Sequence, residues 1–133
     1  VTIDSCLFSV PATKYIDIQG MSDVSMSDGI EITNSTFEIR NMNTSPTYAN
    51  VTNNAINATL NKNLVVRNNK FTTIFPDNMN GISSNYYAIM LSSCKSFNIN
   101  KNEFDLSGVS AMILSDIPNG TLSKVANNKI SIR

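Results

Sequence analysis

The chain has 133 residues, 41% of them hydrophobic, with ten basic and ten acidic side chains and no His. That length suits one domain with an apolar core, and the apolar content excludes a chain disordered by composition. The balanced charge lacks the clustered basic excess of a phosphate-binding surface, and no run of eighteen apolar residues exists, so nucleic acid and a membrane span are both excluded.

Taken in chain order, the predicted elements repeat. VTIDSCLFSV opens the chain, with Phe8 as its anchor, an apolar Ile3 five residues earlier and Val1 seven earlier. IEITNSTFEI follows around Phe37, with Ile32 and Ile30 in the same places. LVVRNNKFTT presents Phe71, Val66 and Leu64, and FNINKNEFDL presents Phe104, Ile99 and Phe97. SKVANNKISI closes the series with Ile130 and Val125, and Ser123 breaks the pattern at the third position. The five anchors are separated by 29, 34, 33 and 26 residues, and all five residues preceding them by five are β-branched.

Apolar residues at alternate positions mark a half-buried strand. A two-residue polar break follows in every copy, filled by Ser5–Cys6, Asn34–Ser35, Asn68–Asn69, Lys101–Asn102 and Asn127–Asn128. Asn tolerates the left-handed backbone region, and rows of buried carboxamides satisfy one another. Asn34, Asn68, Asn69, Asn102, Asn127 and Asn128 are therefore predicted as bend and ladder residues, and Asn34 as buried in a ladder. Phe8, Phe37, Phe71, Phe104 and Ile130 are predicted as core anchors.

A third strand is predicted between copies. Ala88–Leu91 and Ala111–Leu114 are near copies, and Tyr15–Ile18 fits the same slot. The equivalent place in the second insert, around Tyr48 to Val51, matches poorly, and long loops are predicted over 40–63 and 74–87. The fold class expected is all-β: three short strands per coil, stacked at about 4.8 Å with like residues in register, the arrangement of a right-handed parallel β-helix of about five coils. Residues 1–133 form a single segment of it. Neither Val1 nor Arg133 is flanked by a helix or a polar plug. The expectation is a piece of a longer β-helix, or a stub whose ends are capped by other protein chains or further coils.

The pattern apolar-x-apolar-x-x-Asn-x-Phe, preceded by an Ala-Ile-x-Leu strand, resembles the β-helix of the pectin-lyase-like superfamily. The resemblance implies the fold over nearly the whole chain. It leaves function open, because that fold hosts polysaccharide lyases and hydrolases, phage tailspikes, adhesins and surface scaffolds. Enzymes resembling polygalacturonases use Asp residues with a His and an Arg-x-Lys, and neither His nor Arg-x-Lys occurs here. Pectate-lyase-like enzymes use a calcium cluster and an Arg base. Of Arg40, Arg67 and Arg133, only Arg67 stands inside the repeat, in an outward slot.

Paired carboxylates suited to glycoside hydrolysis are also missing. Glu38 and Asp105 share one slot, but the copy between them carries Thr72, which separates them by about 10 Å. Asp23 and Asp28 lack the ligand density of a calcium motif. Cys6 and Cys94, with no His to assist, do not form a zinc site and read as small buried side chains, with a disulfide as the lesser alternative. Tyr48, Phe75, Tyr86 and Tyr87 remain as aromatic platforms on which carbohydrate could stack. Of five N-x-S/T sequons, those at Asn43, Asn50 and Asn57 fall in the predicted loop and are the candidate N-glycosylation sites of a glycoprotein.

No catalytic, cofactor-binding or metal-binding residue is assigned. The expected function is a non-catalytic structural or adhesive segment of a surface or extracellular assembly, such as a filament, spike or coat. The place expected for it is outside the cell, or on a cell or virion surface. The alternative is a fragment of a polysaccharide lyase or glycoside hydrolase, tailspike depolymerases included, whose active-site coils lie elsewhere.

Overall fold

The structure, a computed structural model, describes residues 1–9, 14–40, 54–74, 87–119 and 122–132. Its first repeat forms β1 (Thr2–Asp4), β2 (Leu7–Phe8), β3 (Lys14–Gln19) and the short β4 (Ser27–Asp28). The second forms β5 (Glu31–Thr33), β6 (Thr36–Arg40), β7 (Asn54–Thr59) and β8 (Asn61–Lys62). Next come β9 (Val65–Arg67), β10 (Lys70–Ile74) and β11 (Tyr87–Ser92), then β12 (Asn98–Asn100), β13 (Glu103–Leu106) and β14 (Ser110–Ser115). The last two are β15 (Lys124–Ala126) and β16 (Lys129–Ile132).

These strands sort into three main sheets. Sheet A runs β1-β5-β9-β12-β15, sheet B runs β2-β6-β10-β13-β16, and sheet C runs β3-β7-β11-β14, with β4 and β8 paired beside them. Every pairing between these strands is parallel. The chain visits A, B and C in turn, then returns to A one strand further along. All-β architecture with parallel strands in stacked sheets is compatible with a β-helix.

The register of pairing is the register of the sequence repeat. Ile3, Ile32, Val66, Ile99 and Val125 lie opposite one another along sheet A. Phe8, Phe37, Phe71, Phe104 and Ile130 do so along sheet B. A one-residue slip would turn each apolar set outward, so burial of one face fixes the register. The four Phe rings stack nearly face to face with centroids 4.7, 4.8 and 4.8 Å apart. Phe37, Phe71 and Phe104 are fully buried, a contribution of about 1.5–3 kcal/mol each. Phe8 is half-buried, and the fifth anchor, Ile130, is 49% exposed instead of in the core, because among the described strands β16 pairs with β13 alone.

Sheet C closes the core with Ile16, Ile56 and Ile89 in one row and Ile18, Ala58 and Leu91 in the next, all buried. Ala55, Ala88 and Ala111 are buried beside them. In the first repeat Tyr15 takes the Ala place, and its ring packs 5.7 Å from that of Phe8 and 6.3 Å from that of Phe37.

Two expectations are corrected by this arrangement. The segment 54–62, predicted as loop, forms β7 and β8. Ala55-Ile56-x-Ala58 repeats Ala88-Ile89-x-Leu91, so the third strand of that repeat begins at Asn54, past the Tyr48–Val51 stretch. Cys6, expected to be buried, is exposed at the end of the stack, whereas Cys94 is buried, and the two thiols are not joined.

Candidate functional site

The chain turns from sheet A to sheet B at a two-residue corner, the first corner. Its leading residue is left-handed in all five repeats: Ser5 (φ 53°), Asn34 (50°), Asn68 (55°), Lys101 (55°) and Asn127 (56°). These side chains are exposed, Asn34 among them, so the interior ladder is not theirs. It belongs to the following residue: Cys6, Ser35, Asn69, Asn102 and Asn128. Asn69 and Asn102 are buried. The Ser35 N–H donates to Asn69 Oδ1 at 2.9 Å, the Asn69 N–H to Asn102 Oδ1 at 3.0 Å, and the Asn102 N–H to Asn128 Oδ1 at 2.9 Å. Each carboxamide nitrogen returns a bond to a backbone carbonyl of the previous repeat: Asn69 to Ile32, Asn102 to Val66 and Asn128 to Ile99. Such a group is chemically quiet, with both ends of the amide committed to holding neighbouring strands in register.

A second polar group lies on β3 and β7. The Asp17 carboxylate accepts from Asn57 Nδ2 at 2.6 Å, from Gln19 Nε2 at 3.2 Å and from Lys14 Nζ at 3.4 Å. The Asn57 hydrogen bond, with Gln19 and the Lys14 charge, holds the Asp17 carboxyl below its ordinary range. It is an ionised, partly screened acceptor at neutral pH. No other acidic residue stands on the strands of sheet C. Sequence reasoning missed this patch because the partner Asn57 is found only once β7 is in register with β3.

Other acids are held at the surface by hydrogen bonds or ion pairs. Asp4 accepts from Thr33, Asn34 and Ser5, which lower its pKa, and Asp28 is lowered by Asn63 and Lys62. Arg67, the outward residue of its repeat, stands 4.0 Å from Glu31, and Lys129 stands 4.0 Å from Glu103. Exposed pairs at this separation contribute about 0–1 kcal/mol. Thr72 lies opposite both Glu38 and Asp105, which puts the two acids on strands separated by β10. Among the described residues no group of three or more His, Cys, Asp or Glu is placed to hold a metal ion. No helix among them is long and apolar enough to cross a membrane.

No family model, curated protein or solved structure matches the chain. Of the aromatic platforms, Tyr87 is half-buried on β11. Tyr48, Phe75 and Tyr86 lie outside the described residues, as do the candidate glycosylation sites Asn43 and Asn50. The third, Asn57, stands on a strand and not in a loop: it is 6% exposed, with its amide nitrogen on Asp17.

Proposed function

We propose that the chain is a segment of a right-handed parallel β-helix that serves as a non-catalytic structural or adhesive rod in a surface or extracellular assembly. The observation that carries this reading is the unbroken side-chain register. Phe stacks on Phe through four repeats and Asn bonds to Asn through three, so the recurring chemistry of the repeats is spent on the interior. The right hand follows from the near-universal handedness of parallel crossover connections. The surface supports the same reading. Its acidic and basic residues are equal in number, and the one ordered acid on sheet C, Asp17, has no second carboxylate on that sheet to divide the roles of acid and nucleophile. Stiffness in such a rod comes from each coil lying on the last through backbone hydrogen bonds. A panel of acidic and neutral polysaccharides incubated with the full-length protein tests this reading. No new reducing ends and no unsaturated products are expected, and release of either would overturn it in favour of a lyase or hydrolase.

A further inference from the structure

Asparagine reacts slowly without an enzyme. The backbone nitrogen of the following residue attacks the side-chain carbonyl carbon, ammonia leaves, and the five-membered imide adds water to open as aspartate or isoaspartate. The attacking nitrogen must first give up its proton. An N–H that is hydrogen-bonded and shut away from solvent does so rarely, for the same reason that it exchanges its hydrogen slowly. A small following residue hinders the ring least.

Asn34 is reactive by exposure and by sequence: it is a solvent-exposed corner residue at φ 50°, followed by Ser35. Its nucleophile is the nitrogen of a residue only 1% exposed, and that N–H donates to Asn69 Oδ1 of the next repeat at 2.9 Å. Exposed Asn68 stands in the same relation one repeat on, since its nucleophile, the Asn69 N–H, donates to Asn102 Oδ1 at 3.0 Å. The ladder residues are closed differently. The nitrogens that follow Asn69, Asn102 and Asn128 donate to backbone carbonyls, Lys70 to Ser35, Glu103 to Asn69 and Lys129 to Asn102, each at 2.9 Å. Asn34 and Asn68 therefore depend on one side chain each, and the ladder residues do not.

We propose that Asn34 is a spontaneous deamidation site kept closed by the Asn69 carboxamide, and that Asn102 keeps Asn68 closed in the same way. Closure protects the stack. Aspartate at position 34 would set a second carboxylate where Asp4 Oδ1 now accepts the Asn34 Nδ2 hydrogen at 2.8 Å. Isoaspartate would add a methylene to the backbone between β5 and β6. The ladder carboxamides thus hold the register and also shield the corner beside them from covalent ageing. The proposal rests on the stacked register and not on the rod reading, so its failure leaves that reading standing.

The test ages the full chain at mildly alkaline pH, folded and in concentrated urea, and follows each site by peptide mapping that separates aspartate from isoaspartate. Folded, Asn34 should convert at least about tenfold more slowly than in urea, the factor for one hydrogen bond at the upper end of its usual net contribution. Equal rates overturn the proposal. Asn69→Ala should speed Asn34 about tenfold and leave Asn68 slow, whereas Asn102→Ala should speed Asn68 and leave Asn34 slow. Asn69→Ser should restore much of the closure at Asn34, since the Ser35 hydroxyl accepts the Cys6 N–H at 3.1 Å in the repeat before. Circular dichroism checks that each variant is folded before ageing. In a folded Asn69→Ala variant, an unchanged rate at Asn34, or equal acceleration at both sites, overturns the proposal. If that variant does not fold, the unaltered chain still decides. In urea below its unfolding transition, conversion at Asn34 should rise in step with hydrogen exchange of the Ser35 amide, and conversion independent of that exchange overturns the assignment.

Discussion

Every repeat turns from sheet A to sheet B through a left-handed residue, the first four also turn at a second corner, and the two corners are built differently. At the first, one left-handed residue precedes one ladder residue, and the ladder side chains bond to each other and to backbone. At the second, between sheets C and A, left-handed residues stand at Leu60, Ser93 and Asp116 and again at Gly29, Asn63 and Ser96. The segments that precede Gly29, Asn63 and Ser96 are Ser27–Asp28, Asn61–Lys62 and Cys94–Lys95, so the interior column mixes a hydroxyl, a carboxamide and a thiol. Asn61 donates to Ser27 Oγ at 2.8 Å, but its buried Oδ1 has no partner. The Cys94 thiol lies 3.4 Å from the carbonyls of Ala58 and Ser92. Backbone bonds tie both corners from repeat to repeat, here Leu60 N–H to the Ser92 carbonyl, Asn63 N–H to that of Lys95 and Ser93 N–H to that of Ser115, but only the first corner adds a carboxamide that bonds to backbone at both ends. Where carboxamides add to the backbone bonds, as at Asn69, Asn102 and Asn128, the residue matters more than where backbone bonds stand without them.

The largest test of that difference is Asn102 against Asn61. Asn102→Ala removes both ends of a buried bonded amide and should lower unfolding stability by about 2–4 kcal/mol, and Asn102→Asp, which buries a charge, by more. Asn61→Ala breaks one bond and also removes an unsatisfied oxygen, so urea denaturation should show a loss of about 1 kcal/mol or less. Equal losses would break the comparison. A smaller effect concerns the left-handed residues. Asn68→Ala should lose about 1 kcal/mol, whereas Ser93→Asn, replacing a residue less suited to that backbone region, should gain about 0.5 kcal/mol. Thermal melts of the two variants should therefore shift in opposite directions.

Charge should not distinguish the corners, and acid titration sharpens that point. Asp4 at the first corner and Asp28 at the second are both lowered by side-chain hydrogen bonds, as is Asp17 on sheet C. A carboxylate that binds its proton more weakly when folded adds stability above its unfolded pKa of about 3.9, and loses it as pH falls through the lowered folded value. Chemical denaturation between neutral pH and strong acid should show constant stability down to that region and a decline below it. Asp4→Asn and Asp28→Asn should flatten the decline to a similar small degree.

The register of sheets A and B was legible because Phe and β-branched residues recur at fixed offsets from a bend where Asn is favoured. Left-handed Asn68 and Asn127 carry that signature openly. Leu60, Ser93 and Ser96 adopt the same backbone region with side chains that carry no such mark, so the second corner could not be read. β7 escaped notice because its buried face is Ile56 and Ala58 instead of the bulkier pair in β11, and its Asn54 and Asn57 resemble loop composition. Missing β7 also hid the Asp17–Asn57 bond, since that contact exists only through sheet pairing.

In the first repeat the second corner is interrupted. The Gly20 N–H donates to the Thr59 carbonyl at 2.9 Å, and the chain returns only at Ser27, whose N–H donates to the next carbonyl, Leu60, at 3.1 Å. Between them Met21–Met26 project outward, closed by bonds between Ser22 and Ser25, with Met21 89% and Val24 97% exposed. Gly20 makes the narrow exit: a Cβ there would lie 2.2 Å from the Leu60 carbonyl oxygen. Two adjacent backbone acceptors thus grip both feet of an excursion whose length the stack does not measure. Doubling such an excursion raises its closure entropy by only about 0.6 kcal/mol. The site is a natural graft point, where foreign sequence for display, labelling or tethering can be carried without retuning a single ladder.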